Sequence, residues 1–297
     1  MAEFNFRAPE LSDRVWVEPL LARSGFRGCL YTFGNNYVWK DVYNVRICHW
    51  EDFYILMNSD NSATPRFLFP AGGGDVRRLV TALKQFCSEN CWNLLMTANR
   101  ECTELLKSLY PEIAVTPDRD GFDYVYEAKC LAELKGRQYH SKRNHLNRFY
   151  ENDWSFEPID SSNIGYCREV LDQWLTPEDA NDPEKLEETG VVRTSLECFD
   201  ELGYSGGILF VNGAPQAFTF GERSSEDTFV VHAEKALLNY QGAYTAVNCE
   251  FAKRLADSYR YINREEDTGS EGLRKAKLSY HPVFLEEKYY IDFGGQT

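Results

Sequence analysis

The stretch TFVVHAEKALLNYQGAYTAVNCEFAKRLA, residues 228–256, decides how this chain is to be read. Its first nine residues are rich in β-branched and aromatic types and predict a strand, which places His232 and Glu234 on one face. A short loop, LLNYQG, then leads into a helix over 243–256, with Val247, Phe251 and Leu255 as its buried stripe. Upstream, GGILFVNGAPQAFTFGE (206–222) reads as a hairpin turning at Asn212-Gly213, a dipeptide suited to the left-handed turn positions. Downstream, YRYIN (259–263) is a further strand, and GLRKAKLSY (272–280) a helix that stops before Pro282.

The first half of the chain runs through the same order. YNVRICHWEDFYILMN (43–58) predicts a hairpin turning near Glu51 and Asp52, followed by the strand RFLFP and the loop Gly72-Gly73-Gly74. The helix DVRRLVTALKQFC carries Leu79, Leu83 and Phe86 at helical spacing. A strand, WNLLMTA, and a short helix, ECTELLKSLY, close this series before Pro111. Equivalent points differ by nearly constant offsets: 161 between the turns at Glu51 and Asn212, 162 between Phe69 and Val231, and 168 for both Gly74/Gly242 and Leu105/Leu273. The spacing predicts two domains, residues 1–136 and 137–297, with a basic linker helix over 137–149 opening the second.

Composition agrees with a folded α/β chain: 297 residues, 43% hydrophobic, 14% aromatic and 26% charged. No apolar run approaches the ~20 residues of a membrane span, and the start, MAEFNFRAPE, shows no secretory pattern. Nine cysteines without a CxxC pair read as reduced thiols, and the expected location is cytoplasmic. Cys87 and Cys91, four apart, read as a packed helix face, and no metal site is expected. The net charge of −14 excludes a general nucleic-acid coat. Yet KGRQYHSKRNHLNR (135–148) holds five cations and no acid, so subtracting its +5 leaves −19 on the remainder. That island is a local anion-binding candidate.

Hairpin, strand, glycine-bearing loop, helix, strand, helix is the element order of the GNAT acyltransferase core. Two blocks, LKGRQYHSKRNHLNRFYENDWSFEPI (134–159) and YINREEDTGSEGLRKAKLSYHP (261–282), resemble a bacterial family related to the C-terminal domain of phosphatidylglycerol lysyltransferases. The resemblance implies two tandem GNAT-like domains, each a mixed sheet flanked by helices, of the α/β (α+β) class. It also implies an N-acyl or aminoacyl transferase. The donor would be aminoacyl-tRNA, or an acyl-CoA as second choice, with no required cofactor. The acceptor would be an amine or hydroxyl on a small molecule, lipid headgroup or peptide. The membrane lysyltransferases carry transmembrane helices that this chain lacks. The other reading left open is a catalytically inactive ligand-binding or regulatory protein, because NYQGAY keeps only fragments of the usual Arg/Gln-x-x-Gly-x-Gly/Ala donor loop.

Acyl transfer requires a held donor, a deprotonated nucleophile and a stabilised oxyanion. For donor and phosphate the candidates are Gln241, Gly242 and Tyr244 at a helix start, Arg274 and Lys277 sharing a helix face, and Lys142 and Arg143 in the basic segment. For proton transfer they are Glu234, Glu265 and Asp267, with His232 and Asn263 lining the same cleft. In the second block Asn263, Glu265 and Asp267 are expected on the loop at a strand's C-terminal edge. Gly269 and Gly272 let that loop turn, and Leu273, Ala276 and Tyr280 are expected to face inward. The alternative for these charges is a set of salt bridges on a solvated face.

Overall fold

The computed structural model describes residues 4–59 and 64–294, which form two compact units. One comprises the chain up to Asp123 together with Glu266–Arg274 and the segment from Leu285 onward. The other comprises Tyr124–Glu265 and Lys275–Phe284.

The chain begins with helices α1 (Arg14–Ser24) and α2 (Phe33–Val38), then the hairpin β1 (Arg46–Trp50) and β2 (Phe53–Asn58). Strands β3 (Arg66–Leu68) and β4 (Ala71–Gly72) precede α3 (Val76–Glu89), β5 (Leu95–Asn99), α4 (Arg100–Leu109) and β6 (Ala114–Pro117). Next come β7 (Asp123–Glu127), α5 (Ala128–Glu133), α6 (His140–Phe149), β8 (Trp154–Pro158), α7 (Ile164–Trp174) and α8 (Pro183–Glu197). The long strands β9 (Ser205–Val211), β10 (Ala214–Arg223) and β11 (Thr228–Ala236) lead to α9 (Ala243–Leu255) and β12 (Tyr261–Asn263). Helix α10 (Glu271–Leu278) and strands β13 (Phe284–Glu286) and β14 (Lys288–Asp292) complete the described chain.

Both predicted hairpins form. Asn212 and Gly213 take φ values of 52° and 76°, the left-handed pair that a two-residue turn demands. Helix α3 starts where Asp75 accepts from the backbone N–H groups of Arg77 and Arg78, which satisfies two donors the helix cannot. Its Leu79 and Leu83 are buried against Phe67, Ile55 and Met96. Cys87 belongs to that core, whereas Cys91 lies beyond the helix end, exposed and at φ 59°. In the second unit Val247, Phe251 and Leu255 are buried as the period predicted, and Phe229 meets Phe251 edge-on.

Each unit has its own mixed sheet. The first has the order β1-β2-β3-β5-β14-β6, with β4 on β2; the second has β13-β7-β12-β11-β10-β9-β8. In both, one parallel pair is followed by an antiparallel neighbour: β3/β5 then β14, and β11/β12 then β7. Strand β7 therefore serves the second sheet, and β14 returns from the end of the chain to serve the first.

Candidate active site

Strands β11 and β12 pair over only three residues, Thr228–Val230 against Tyr261–Asn263. Beyond Asn263 the chain stays with β7, since Arg264 N–H donates to Tyr124 O and Tyr124 N–H to Glu265 O. Strand β11 continues to Ala236 without that neighbour, so the two strands part. Across the gap Arg264 Nη2 donates to Glu234 Oε1 at 2.9 Å. From α9, Asn248 Nδ2 donates to Glu234 Oε2 at 3.2 Å. Thr219 on β10 is in register with Glu234 and shares its face.

Three polar atoms around this carboxylate are buried without a hydrogen-bond partner among the described residues: Arg264 Nη1, Asn248 Oδ1 and Thr219 Oγ1. Leaving a buried donor or acceptor unpaired costs about 1–3 kcal/mol each, so three such atoms around one carboxylate mark a place built for a polar ligand. One is a donor, one an acceptor and one both. Lys142 adds positive charge nearby, with Nζ 3.9 Å from the centre of the Tyr280 ring. Burial lowers its pKa and the Arg264 guanidinium lowers it further. The Arg264 guanidinium lies 4.9 Å from the same ring.

His232 is the extra residue where β11 bulges against Phe220 and Gly221. The bulge sets its Nε2 at 2.9 Å from Glu222 and its Nδ1 at 2.8 Å from Glu265. Burial alone lowers the imidazole pKa, but the hydrogen bonds to the two carboxylates outweigh it and raise the value to about 10. His232 is thus a held imidazolium. Asn263 is fully buried, and its Oδ1 accepts from Glu265 N–H at 2.7 Å, fixing a backbone whose φ is 58°.

The remaining candidates are placed as follows. Gly242 begins α9 at φ 91°, where a Cβ would come within 2.3 Å of His145 O, so glycine alone fits. Gln241 accepts from Arg148, and Tyr244 Oη accepts from Trp174 Nε1 at 2.9 Å. Arg143 donates to the carbonyls of Leu134 and Gly136. Lys277 is buried and donates to the carbonyls of Arg264 and Glu265 at 2.6 and 3.1 Å. Asp267 is fully buried; it accepts from Arg274 Nε and Nη2 at 2.8 and 2.7 Å and from Gly269 N–H at 3.0 Å. Arg274 also donates to Asp120.

Helix α10 is inverted relative to expectation. Tyr280 is buried as expected, but Lys277 faces inward and Arg274 is half-buried, whereas Leu273 is 41% exposed and Ala276 is exposed. The cause is the hydrogen bonding just described: buried carboxylate and carbonyl groups hold the cations in, and the leucine gives way. Arg264, Asn248 and Thr219 were not singled out from the sequence. The readable signal for Asn248 was its i+4 spacing from Tyr244 on a helix otherwise buried by Val247 and Phe251.

In the first unit Cys29, Asp123 and Glu266 bring metal-ligating atoms within 4.8 Å of one another. Lys288 Nζ stands among them, 2.7 Å from Asp123, 3.2 Å from Glu266 and 3.3 Å from Cys29 Sγ. The ammonium takes the position a metal cation would need.

Two mixed sheets, each with a parallel pair that parts beside a helix start, define the chain as a tandem GNAT-like protein. Its fold is shared along 99% of its length with a tandem GNAT protein from the clavulanic acid biosynthesis pathway, at a TM-score of 0.50 and 9% identity. The chain belongs to the family described as phosphatidylglycerol lysyltransferase, C-terminal, which it matches over residues 21–292. A conserved protein of unknown function from Bacteroides thetaiotaomicron is 35% identical and superposes with a TM-score of 0.92, covering 98% of this chain and 99% of its own. The L-PGS structure from Bacillus licheniformis is 15% identical with a TM-score of 0.67, over 98% and 95% of the two chains. An uncharacterized protein of Mycoplasmoides gallisepticum is 23% identical across 57% of this chain, and the match spans only 55% of that relative. Family and fold are those of acyl and aminoacyl transferases of the lysylphosphatidylglycerol synthase type. Among the described residues no helix is long and apolar enough to cross a membrane.

Proposed function

We propose that the chain is an aminoacyltransferase whose reaction centre lies at the parting of β11 and β12, around Glu234 and Arg264. The observation that carries this reading is the set of three unpartnered buried polar atoms about one carboxylate. An aminoacyl ester matches their polarity. Its α-ammonium supplies donors to Asn248 Oδ1 and Glu234, and its carbonyl oxygen accepts from Arg264 Nη1. As the nucleophile attacks, the carbonyl oxygen gains charge, and a fixed guanidinium in a dry site stabilises that change most. Glu234 accepts the proton released by the attacking amine or hydroxyl. The new C–N or C–O bond forms as the ester bond to the donor breaks, and the departing donor oxygen takes the proton held on Glu234 and leaves as a hydroxyl. Lys142 and the start of α9 at Gly242 stand ready for donor phosphate. Aminoacyl-tRNA fits this arrangement better than acyl-CoA, because a simple acyl group leaves Asn248 Oδ1 unpaired.

The test is transfer of labelled amino acids from aminoacyl-tRNA, with acyl-CoAs in parallel, to lipid-headgroup, peptide and small amine acceptors. Glu234→Gln and Arg264→Gln should lower turnover by roughly 10²–10⁴-fold. Thr219→Val, which removes an unpaired hydroxyl, should leave the melting temperature unchanged or higher while weakening the donor's apparent affinity. Transfer that persists in all three variants places the chemistry elsewhere.

A further inference from the structure

Cys29, Asp123, Glu266 and Lys288 form a cluster that the transfer chemistry does not use, and all four belong to the first unit. Cys29 opens the turn Cys29–Tyr31, and Lys288 opens β14. Lys288 Nζ donates to Cys29 Sγ at 3.3 Å, and the sulfur lies 3.3 Å from both Asp123 Oδ1 and Glu266 Oε2. The same two carboxylates hold the ammonium, at 2.7 and 3.2 Å. The backbone fixes the sulfur as well, because Cys29 N–H donates to Asp123 Oδ2 at 2.7 Å. Cys29 is 2% exposed, but the Glu266 side chain is 29% exposed, so the cluster meets solvent on one side.

A thiol, an amine and two proton acceptors at these distances are a reactive set. The sulfur–nitrogen separation of 3.3 Å falls within the near-attack range of about 3–3.5 Å. Burial pushes the thiols of Cys87 and Cys167 up to about 12 and keeps them inert, whereas a sulfur anion at Cys29 faces an ammonium. We propose that hydrogen peroxide joins Cys29 to Lys288 through a sulfenamide, a covalent S–N cross-link between this turn and β14. In the first step the thiol hydrogen passes to Asp123 or Glu266, and the sulfur attacks one peroxide oxygen. The O–O bond breaks, sulfur gives up two electrons to become a sulfenic acid, and the second oxygen takes the proton and leaves as water. In the second step a carboxylate takes a proton from the ammonium, and Nζ attacks the sulfur. The S–N bond forms as the S–O bond breaks, and the hydroxyl leaves as water with a hydrogen from the amine. One cation and one anion disappear together, so the buried cluster acquires no net charge.

The test is peroxide treatment of the full chain with and without dimedone, followed by thiol alkylation, trypsin digestion and mass spectrometry. The expected product joins residues 28–40 to residues 278–297 and is two hydrogens lighter than the two peptides together, because trypsin no longer cleaves after the modified Lys288. Dithiothreitol should release both peptides. Treatment in urea, where partners 259 residues apart in the chain separate, should give no linked pair. Cys29→Ser should abolish the pair, and Lys288→Arg, which keeps the cation without a nucleophilic amine, should leave a sulfenic acid that dimedone captures. Should Lys288→Arg fail to fold, the native chain and its urea control decide alone. Three results overturn the proposal: Cys29 still alkylated in full after the exposed Cys91 and Cys130 have been oxidised, a dimedone adduct on native Cys29 with no linked pair, or a pair formed equally in urea. None of these readouts depends on transfer activity, so the two proposals fail separately.

Discussion

Glu234, Arg264, Asn248 and Thr219 show how four ordinary residues become a site when their hydrogen bonds are left incomplete. Glu234 has both oxygens engaged, yet each of its neighbours keeps an unused polar atom. His232 behaves oppositely, since both ring nitrogens are satisfied by carboxylates. Its pKa is raised from 6.5 to about 10 in the folded chain, so its stabilising contribution is full below about pH 6.5. That contribution is lost as pH rises through about 10. His232→Gln is therefore expected to be less stable than the native chain at pH 6, with the gap narrowing toward pH ~10. Urea unfolding at several pH values measures this, and a gap independent of pH would contradict it.

At the level of elements, α10 illustrates how buried partners override apolar periodicity. Its cations turn inward because Asp267 and the carbonyls after β12 offer hydrogen bonds that no leucine can make. Lys277 thereby supports the backbone of Arg264 and Glu265, and so positions the side chain that faces Glu234. Asp267 is fully buried against Arg274 and Gly269 N–H. Asp267→Asn should consequently lower the melting temperature by several degrees, since removing one partner of a buried ion pair is strongly destabilising. Leu273→Ser, at an exposed position of the same helix, should change stability by less than about 0.5 kcal/mol. Thermal melts of the two variants decide it; a silent Asp267→Asn with a damaging Leu273→Ser would restore the apolar-inward helix.

Across the whole molecule, charge is distributed unevenly, and the structure divides the basic segment into working and exposed cations. Arg143 is spent on the carbonyls of Leu134 and Gly136, and Lys142 lies over Tyr280. Arg137 and Arg148 are exposed. If aminoacyl-tRNA is the donor, these two add phosphate contacts to the one proposed for Lys142, and replacing both by Ala should weaken RNA binding and reduce the salt slope by about 2. Arg143→Ala should act on stability instead. Anisotropy titrations with tRNA between roughly 50 and 200 mM salt provide the measurement. An unaltered slope would remove the segment from the donor path.

The sequence by itself determined the elements whose information is local. The Asn212-Gly213 turn, the β11 strand, and the stripes of α3 and α9 all follow from backbone preference and burial period over a few residues. The shared face expected for His232 and Glu234 does not hold, because the bulge turns His232 to the side of Glu222, away from that of Thr219 and Glu234. The resemblance of two blocks carried the family. Only the tertiary structure decided which distant groups meet. It set β14 beside β5 and β7 beside β12, turned α10 over, and joined Arg264 to Glu234 and Lys288 to Cys29 across 30 and 259 residues of chain. Strand pairing and buried ion pairs are chosen by desolvation and geometry between remote segments, and such terms leave no periodic trace in the residues that obey them.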